Sequence, residues 1–140
     1  MNLLRGGARL ILKLFGWKLL DLPHVPARAV VIGYPHTTNW DFPLGLLVMA
    51  ALDLQACWAG KDTLFRHGLG PVMRKLGGIP VNRREHTGFV ERMVEEFRGR
   101  KHFRLVIATE GTRRRTGGWK SGFYRIALAA GVPVVMATID

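Results

Sequence analysis

The stretch AVVIGYPHTTNWD, from Ala29 to Asp41, combines a short apolar run, a polar turn and the start of a second apolar segment. The apolar run Ala29–Gly33 is rich in β-branched residues and predicts a strand. The segment after the turn, Phe42–Leu52, has the length and the leucine, alanine and methionine content of a helix. A strand that leads through a polar turn into a helix is the repeating unit of an α/β domain.

The same alternation continues along the rest of the chain. Further strands are predicted in LQACWAG (54–60), IPV (79–81), FRLVIA (103–108) and PVVMATI (133–139). Helices are predicted between them, namely a stretch punctuated by Gly70-Pro71 that ends near Gly77, and segments at residues 89–97 and 124–130. The pattern predicts an α/β fold, a single domain with a largely parallel central sheet flanked by helices. A chain of 140 residues is long enough for one such domain with a real core.

The sequence pattern predicts an amphipathic, basic N-terminal helix over residues 1–22. Arg5, Arg9 and Lys13 recur every four residues along one stripe, and the apolar residues fall on the other side. Such a helix either lies on a membrane surface or packs on its own domain, and the pattern alone favours neither. The charges interrupt the apolar run, so it lacks the core of a signal peptide. It also falls short of the uninterrupted apolar segment of roughly 18 to 20 residues that is needed to span a bilayer.

The net charge of +11 is the unusual feature of the composition. A field this positive attracts polyanions, whether nucleic acid, anionic lipid surfaces or phosphorylated substrates. The arginines gather in loops and no RNA- or DNA-reading signature is present, so we expect no nucleic-acid partner.

Several kinds of site are poorly supported by the sequence. The only cysteine, Cys57, excludes an internal disulfide and a cysteine-based zinc site. The five histidines show no pairing at four-residue spacing, so we expect no metal. Ser121 is the only serine and lies in no G-x-S-x-G motif, which argues against a serine nucleophile.

Polar clusters follow three of the predicted strands. They are HTTNWD (36–41), NRRE (82–85) and TEGTRRR (109–115). Ligands of open α/β sheets bind beyond the carboxyl ends of the strands. These clusters therefore predict a site at that edge of the sheet.

His36 and Asp41 are candidates for a general base and the carboxylate that orients it. On one continuous helix, residues five apart are rotated by about 140° and could not meet. They could meet if His36 lies in the turn and Asp41 in the first helical turn. The alternative is a capping box, with Thr38 as N-cap and Asp41 at the third helical position.

The loop TEGTRRRTGGWKSG (109–122) combines four cations with glycines between a strand and a helix. Arginine forks and exposed backbone amides suit a phosphate group, although the P-loop pattern is not satisfied. Arg83 and Arg84 could contribute to the same anion site. The alternative is a solvated basic loop.

Together these motifs resemble the glycerolipid acyltransferase family, whose type members are 1-acyl-glycerol-3-phosphate (lysophosphatidate) acyltransferases. HTTNWD matches the H-x-x-x-x-D block through His36 and Asp41, and EGTR (110–113) matches the third block in full. GGIPVNR (77–83) and GVPVV (131–135) resemble the second and fourth blocks. The four blocks occur in the family's order across nearly the whole chain.

The resemblance implies transfer of an acyl group from acyl-CoA or acyl-carrier protein, a co-substrate rather than a cofactor, to a phosphate-bearing lysolipid. His36 would be the base on the acceptor hydroxyl and Asp41 its orienting partner. The residues implied in acceptor binding are Arg83, Glu110, Gly111, Thr112 and Arg113. Alternatives are a related enzyme with another hydroxyl or amine acceptor, and a non-catalytic basic module that binds membrane or nucleic acid.

The resemblance also implies a domain organisation and a location. Residues 23–140 would form the acyltransferase domain, incomplete at its C-terminus because family members continue beyond the fourth block. The basic helix of residues 1–22 would hold the protein peripherally on an anionic membrane, at its cytoplasmic face, where both acyl chains reside.

Overall fold

The computed structural model describes residues 3–20, 24–34, 41–81, 86–108 and 122–138. The helices are α1 (Leu3–Leu14), α2 (Asp41–Ala51), α3 (Gly70–Lys75), α4 (His86–Gly99) and α5 (Gly122–Ala130). The strands are β1 (Arg28–Tyr34), β2 (Cys57–Lys61), β3 (Gly78–Val81), β4 (Phe103–Ala108) and β5 (Val134–Thr138). A short 3-10 helix, Asp62–Phe65, follows β2. The predicted alternation of strands and helices is confirmed.

The five strands form one sheet in the order β3-β2-β4-β1-β5, and every neighbouring pair is parallel. The prediction of an α/β domain with a parallel central sheet is therefore confirmed. Four consecutive residues of β1, Ala29–Ile32, are buried, as is typical of strands covered on both faces. Pro80 lies in β3, an edge strand, where a missing backbone N–H costs no hydrogen bond between strands.

The main core lies where α4 and α5 meet β1 and β4. The fully buried ring of Phe97 packs edge-on against Phe103, with ring centroids 4.7 Å apart. Ile126 of α5 and Leu105 of β4 are also fully buried in this cluster. The apolar spacing of α4 in the sequence predicted this inward face.

The chain divides into two compact units. Residues 1–24 and 37–55 form a helical unit, and residues 25–36 and 56–140 form the sheet unit. In the helical unit α1 packs on α2 through Ala8 and Leu12, which cluster with Ala51. The guanidinium of Arg9 donates a hydrogen bond of 2.9 Å from its Nε to the carbonyl oxygen of Ala51.

Two of the element ends that differ from the sequence-based prediction have a clear local cause. Helix α1 stops at Leu14, because Gly16 adopts a left-handed conformation (φ +81°) and the amide of Trp17 folds back to the carbonyl of Leu12. The predicted start of β2 at Leu54 is wrong. The Leu54 amide instead donates to the carbonyl of Met49, which closes the end of α2.

Candidate active site

The carboxyl ends of the strands lie together at one edge of the sheet because all strands are parallel. Strands β1 and β4 are neighbours and run in register up to the pair Gly33 and Ala108. Neighbouring strands are about 4.8 Å apart. The chain therefore leaves the sheet from two adjacent points, after Tyr34 and after Ala108.

Two of the predicted clusters begin directly after these points. His36 follows the last residue of β1 by two positions, and Glu110 follows the last residue of β4 by two positions. An extended chain advances only about 3.5 Å per residue. Because β1 and β4 are neighbours, the H-x-x-x-x-D block and the EGTR block follow adjacent strand ends, although about 70 residues separate them in the sequence.

The predicted site residues themselves fall mostly outside the described residues. This holds for His36, Arg83, Glu110, Gly111, Thr112 and Arg113. Asp41 is described through its backbone only, as the first residue of α2. Helix α2 therefore begins one residue before the predicted start at Phe42, and the roles of Asp41 as cap or as orienting partner of His36 stay predictions.

The third cluster, NRRE, follows β3, which is separated from β4 by β2. Two strand spacings correspond to about 10 Å. Lys61 is the last residue of the intervening strand β2 and is in register with Val81, the last residue of β3. Lys61 is exposed and lies at the same edge of the sheet. Lys61 is a candidate anion ligand that the sequence analysis missed.

The signal for Lys61 was present in the sequence. The predicted strand ended at Gly60, one residue short of the observed end of β2. Ligands of open α/β sheets bind beyond the carboxyl ends of the strands, and applying this rule to β2 as well would have singled out Lys61.

The position of Lys61 depends on a packed assembly around Trp58. The indole Nε1 of Trp58 donates to the carbonyl oxygen of Leu76 at 3.1 Å, and its ring stacks on Phe65 with centroids 5.9 Å apart. The guanidinium of Arg74 lies 5.5 Å from the centroid of the same Phe65 ring. These contacts tie β2, the 3-10 helix and α3 together and hold the carboxyl end of β2 in place.

The last residues that are paired across β4, β1 and β5 are all small. They are Ala108, Gly33 and Ala137. Among the residues that the structure describes, no atom lies within 4 Å of a Cβ added at Gly33.

Some of the described acidic side chains form ion pairs with arginines. Arg66 pairs with Asp62 at 3.3 Å, and Arg100 pairs with Glu96 at 2.8 Å.

Within the described ranges, no group of three histidine, cysteine, aspartate or glutamate side chains could hold a metal ion. The helices of those ranges also include none that is long and apolar enough to cross a membrane.

Comparison with known proteins yields one family. The family model described as Acyltransferase matches residues 20–140, which include all four motif blocks. No curated protein and no solved structure gives a significant match.

Proposed function

Because this chain belongs to the acyltransferase family, we propose that it moves a fatty acyl group from an acyl thioester to a hydroxyl of a glycerol-phosphate-type lipid. The reaction proposed is the conversion of a lysophosphatidate to a phosphatidate. The donor is acyl-CoA or an acyl-carrier protein. The acceptor carries one phosphate and one acyl chain.

In the proposed reaction His36 is the general base. Its imidazole takes the proton of the acceptor hydroxyl while the hydroxyl oxygen attacks the thioester carbonyl carbon. The tetrahedral intermediate collapses with cleavage of the carbon–sulfur bond, and the thiolate leaves with the proton that the imidazolium returns. Asp41 holds the imidazole in the required tautomer and stabilises its charged form. No protein nucleophile is needed, in keeping with a chain whose only serine is Ser121.

The observation that carries this proposal is the adjacency of β1 and β4. The motif that supplies the base and the motif that supplies the arginine loop start from neighbouring parallel strands at the same edge of the sheet. That edge is where α/β sheets bind ligands.

Cations from three strand ends support a phosphate-bearing acceptor. Arg113 belongs to the loop after β4, Arg83 follows β3, and Lys61 ends β2 between them. Guanidinium groups bind phosphate oxygens in pairs of hydrogen bonds, and an ammonium group adds a compact charge. We propose that Arg83 and Arg113 bind the acceptor phosphate, aided by Glu110, Gly111 and Thr112 of the same loop.

The test is acyl transfer measured with labelled acyl-CoA, or with acyl-carrier protein, and a panel of acceptors. The panel contains lysophosphatidate, lysophospholipids with larger headgroups, and a long-chain amine. We expect lysophosphatidate to be the preferred acceptor. His36→Ala should lower kcat by about 10²- to 10⁴-fold, the usual contribution of a general base.

The matched control is His102→Ala. His102 is exposed and directly precedes β4, at the opposite edge of the sheet, so its removal should leave kcat unchanged. Equal transfer rates for the wild type and His36→Ala would exclude His36 as the base. Preference for the amine, or for an acceptor without phosphate, would contradict the proposed acceptor while leaving acyl transfer intact.

A further inference from the structure

The two edge strands of the sheet, β3 and β5, differ in how their outer edges are protected. In β3, Pro80 lacks a backbone N–H, and its carbonyl oxygen accepts a hydrogen bond of 2.9 Å from the guanidinium of Arg92. Proline and charged side chains are common means by which proteins prevent an edge strand from pairing with another chain. Strand β5, with the sequence VVMAT, contains neither proline nor a charged residue. Among the described residues, the edge at β3 is thus protected and the edge at β5 is not.

The outer edge of β5 presents backbone groups that point away from β1. The amide of Val30 donates to the carbonyl oxygen of Pro133 at 3.0 Å, which puts the polar backbone groups of the odd-numbered residues of β5 on the β1 side. Successive residues of a strand direct these groups to opposite sides. The N–H and C=O groups of Val134, Met136 and Thr138 therefore point outward, and within the described residues β5 pairs with β1 alone.

An apolar groove runs beside this edge, on the face of the sheet that α5 covers. Val134 and Met136 are paired with Val30 and Ile32, which belong to the core under α4 and α5, so all four side chains lie on the same face. Val134 is nevertheless 40% exposed and Met136 53% exposed. The other side chains that line the groove include Tyr124, Ala127, Leu128 and Val132. An open strand edge beside an exposed apolar surface marks an interaction site.

The charges of this region narrow the choice of partner. The chain has a net charge of +11, yet residues 126–139 contain no charged side chain. A neutral, apolar edge does not favour an acidic or a basic partner, and a second extended strand matches its outward backbone groups. Two copies of the chain can meet at this edge without bringing like charges face to face.

We propose that β5 is a dimer interface, at which it pairs antiparallel with β5 of a second copy of this chain. A twofold axis at the centre of the strand puts Met136 opposite Met136 of the partner subunit, and Val134 opposite Thr138 of the partner subunit. In an antiparallel ladder each such pair of outward-pointing residues exchanges two backbone hydrogen bonds. The axis is perpendicular to the sheet, so both α5 helices lie on the same face and the two apolar grooves adjoin.

The protected edge at β3 limits this assembly to two copies. Each chain offers one open edge, so pairing through β5 joins two five-stranded sheets into one and leaves a β3 strand at either end. The interface is isologous, since the same residues contribute from both sides, and such an interface closes with two subunits. The pairing does not depend on the proposed acyl transfer.

The test is sedimentation velocity of the full chain over a range of concentrations. We expect a species with twice the mass of one chain. Its dissociation constant should fall in high salt, because salt screens the repulsion between two chains of net charge +11 and the interface contains no ion pair. Amide hydrogen exchange at Val134, Met136 and Thr138 should slow as the protein concentration rises.

Charge substitutions at Met136 test the register of the pairing. Met136→Lys and Met136→Glu each put like charges opposite one another across the twofold axis. Each should raise the dissociation constant at least about a hundredfold. An equimolar mixture of the two variants should dimerise again, because opposite charges then face each other.

The matched control is Leu69→Lys. Leu69 directly precedes α3 and is 53% exposed, as Met136 is, so the same charge is added at a position of equal exposure outside the interface. This variant should dimerise like the wild type.

Met136→Pro tests the backbone pairing. The N–H that proline lacks points outward in the single chain, where proline is tolerated in an edge strand, so circular dichroism should show an unchanged fold. The dimer should weaken at least about tenfold, because two hydrogen bonds across the interface are lost.

Several results would contradict the pairing through β5. A wild type that is monomeric at all concentrations would exclude a second copy at this edge. Slow amide exchange of β5 in that monomer would show that another segment of the same chain covers the edge, and fast exchange would show that solvent does. A dimer that Met136→Lys leaves intact would place the interface elsewhere. Failure of the mixed variants to dimerise would exclude a twofold axis at Met136.

Discussion

Gly78 and Gly33 are both strand glycines with ordinary backbone angles, yet their surroundings differ sharply. A Cβ added at Gly78 would lie 2.7 Å from Cζ2 of Trp58 and 2.8 Å from the carbonyl oxygen of Met73. The same atom at Gly33 would meet no atom of the described part of the chain within 4 Å. Gly78 is therefore required by close packing in β3, whereas no described atom crowds Gly33.

This contrast predicts the effect of two alanine substitutions on stability. Gly78→Ala should lower the free energy of unfolding by about 1–3 kcal/mol, because overpacking forces the Trp58 ring and the neighbouring backbone to move. Gly33→Ala should change it by less than about 0.5 kcal/mol. Urea denaturation followed by tryptophan fluorescence measures both. Equal losses from the two substitutions would mean that the packing around Trp58 is not as described.

Helix α1 shows how glycines act at the level of an element. Gly7 lies inside the helix, and no atom of the described residues lies within 4 Å of a Cβ added there. At such a position glycine weakens the helix by its conformational freedom. Gly16 lies just beyond the helix with φ +81°, where an L side chain is strained. One glycine weakens α1 and the other terminates it.

Alanine substitutions should therefore have opposite signs at the two positions. Gly7→Ala should stabilise α1 by about 0.5–1 kcal/mol, and Gly16→Ala should destabilise its C-terminal turn by about 1 kcal/mol. Amide hydrogen exchange of residues 7–15 reports the local opening of this helix directly. A gain in protection from Gly16→Ala would contradict the left-handed conformation of that residue.

At the level of the whole molecule, the sheet order β3-β2-β4-β1-β5 decides which loops become neighbours. Strands β1 and β4 are adjacent although α2, β2, α3, β3 and α4 intervene in the sequence. The same order puts the end of β2, with Lys61, between the strands that precede NRRE and TEGTRRR. The proposed site thus draws on cations from three separate parts of the chain.

This arrangement predicts a specific kinetic effect for Lys61→Ala. The KM for a phosphate-bearing acceptor should rise about tenfold, the effect of losing one charged contact to an anion, and kcat should change little. The KM for the acyl donor should stay the same. The matched control Lys101→Ala removes an exposed lysine from the opposite edge of the sheet and should leave both constants unchanged. A rise confined to the donor KM would exclude Lys61 from the acceptor site.

The elements of the fold were largely predictable because they depend on local pattern. The β-branched run of β1, the apolar spacing of α4 and the turn at Gly131 (φ +67°) each follow from interactions between residues a few positions apart. The end of α1 was harder to predict, since a glycine inside a helix and a glycine that stops one look alike in sequence. The backbone conformation of Gly16 distinguishes the two cases.

The candidate site was predictable only as a set of motifs. The sequence by itself determined the residue types, their order and the family, since the family model matches residues 20–140, and it predicts a base in HTTNWD and an anion-binding loop at EGTR. Only the tertiary structure decided that β1 and β4 are neighbours, that Lys61 lies at the same edge of the sheet, and that Leu3 and Leu14 of α1 stay exposed. The physical reason is that strand order and burial depend on packing between distant segments, which no local pattern specifies.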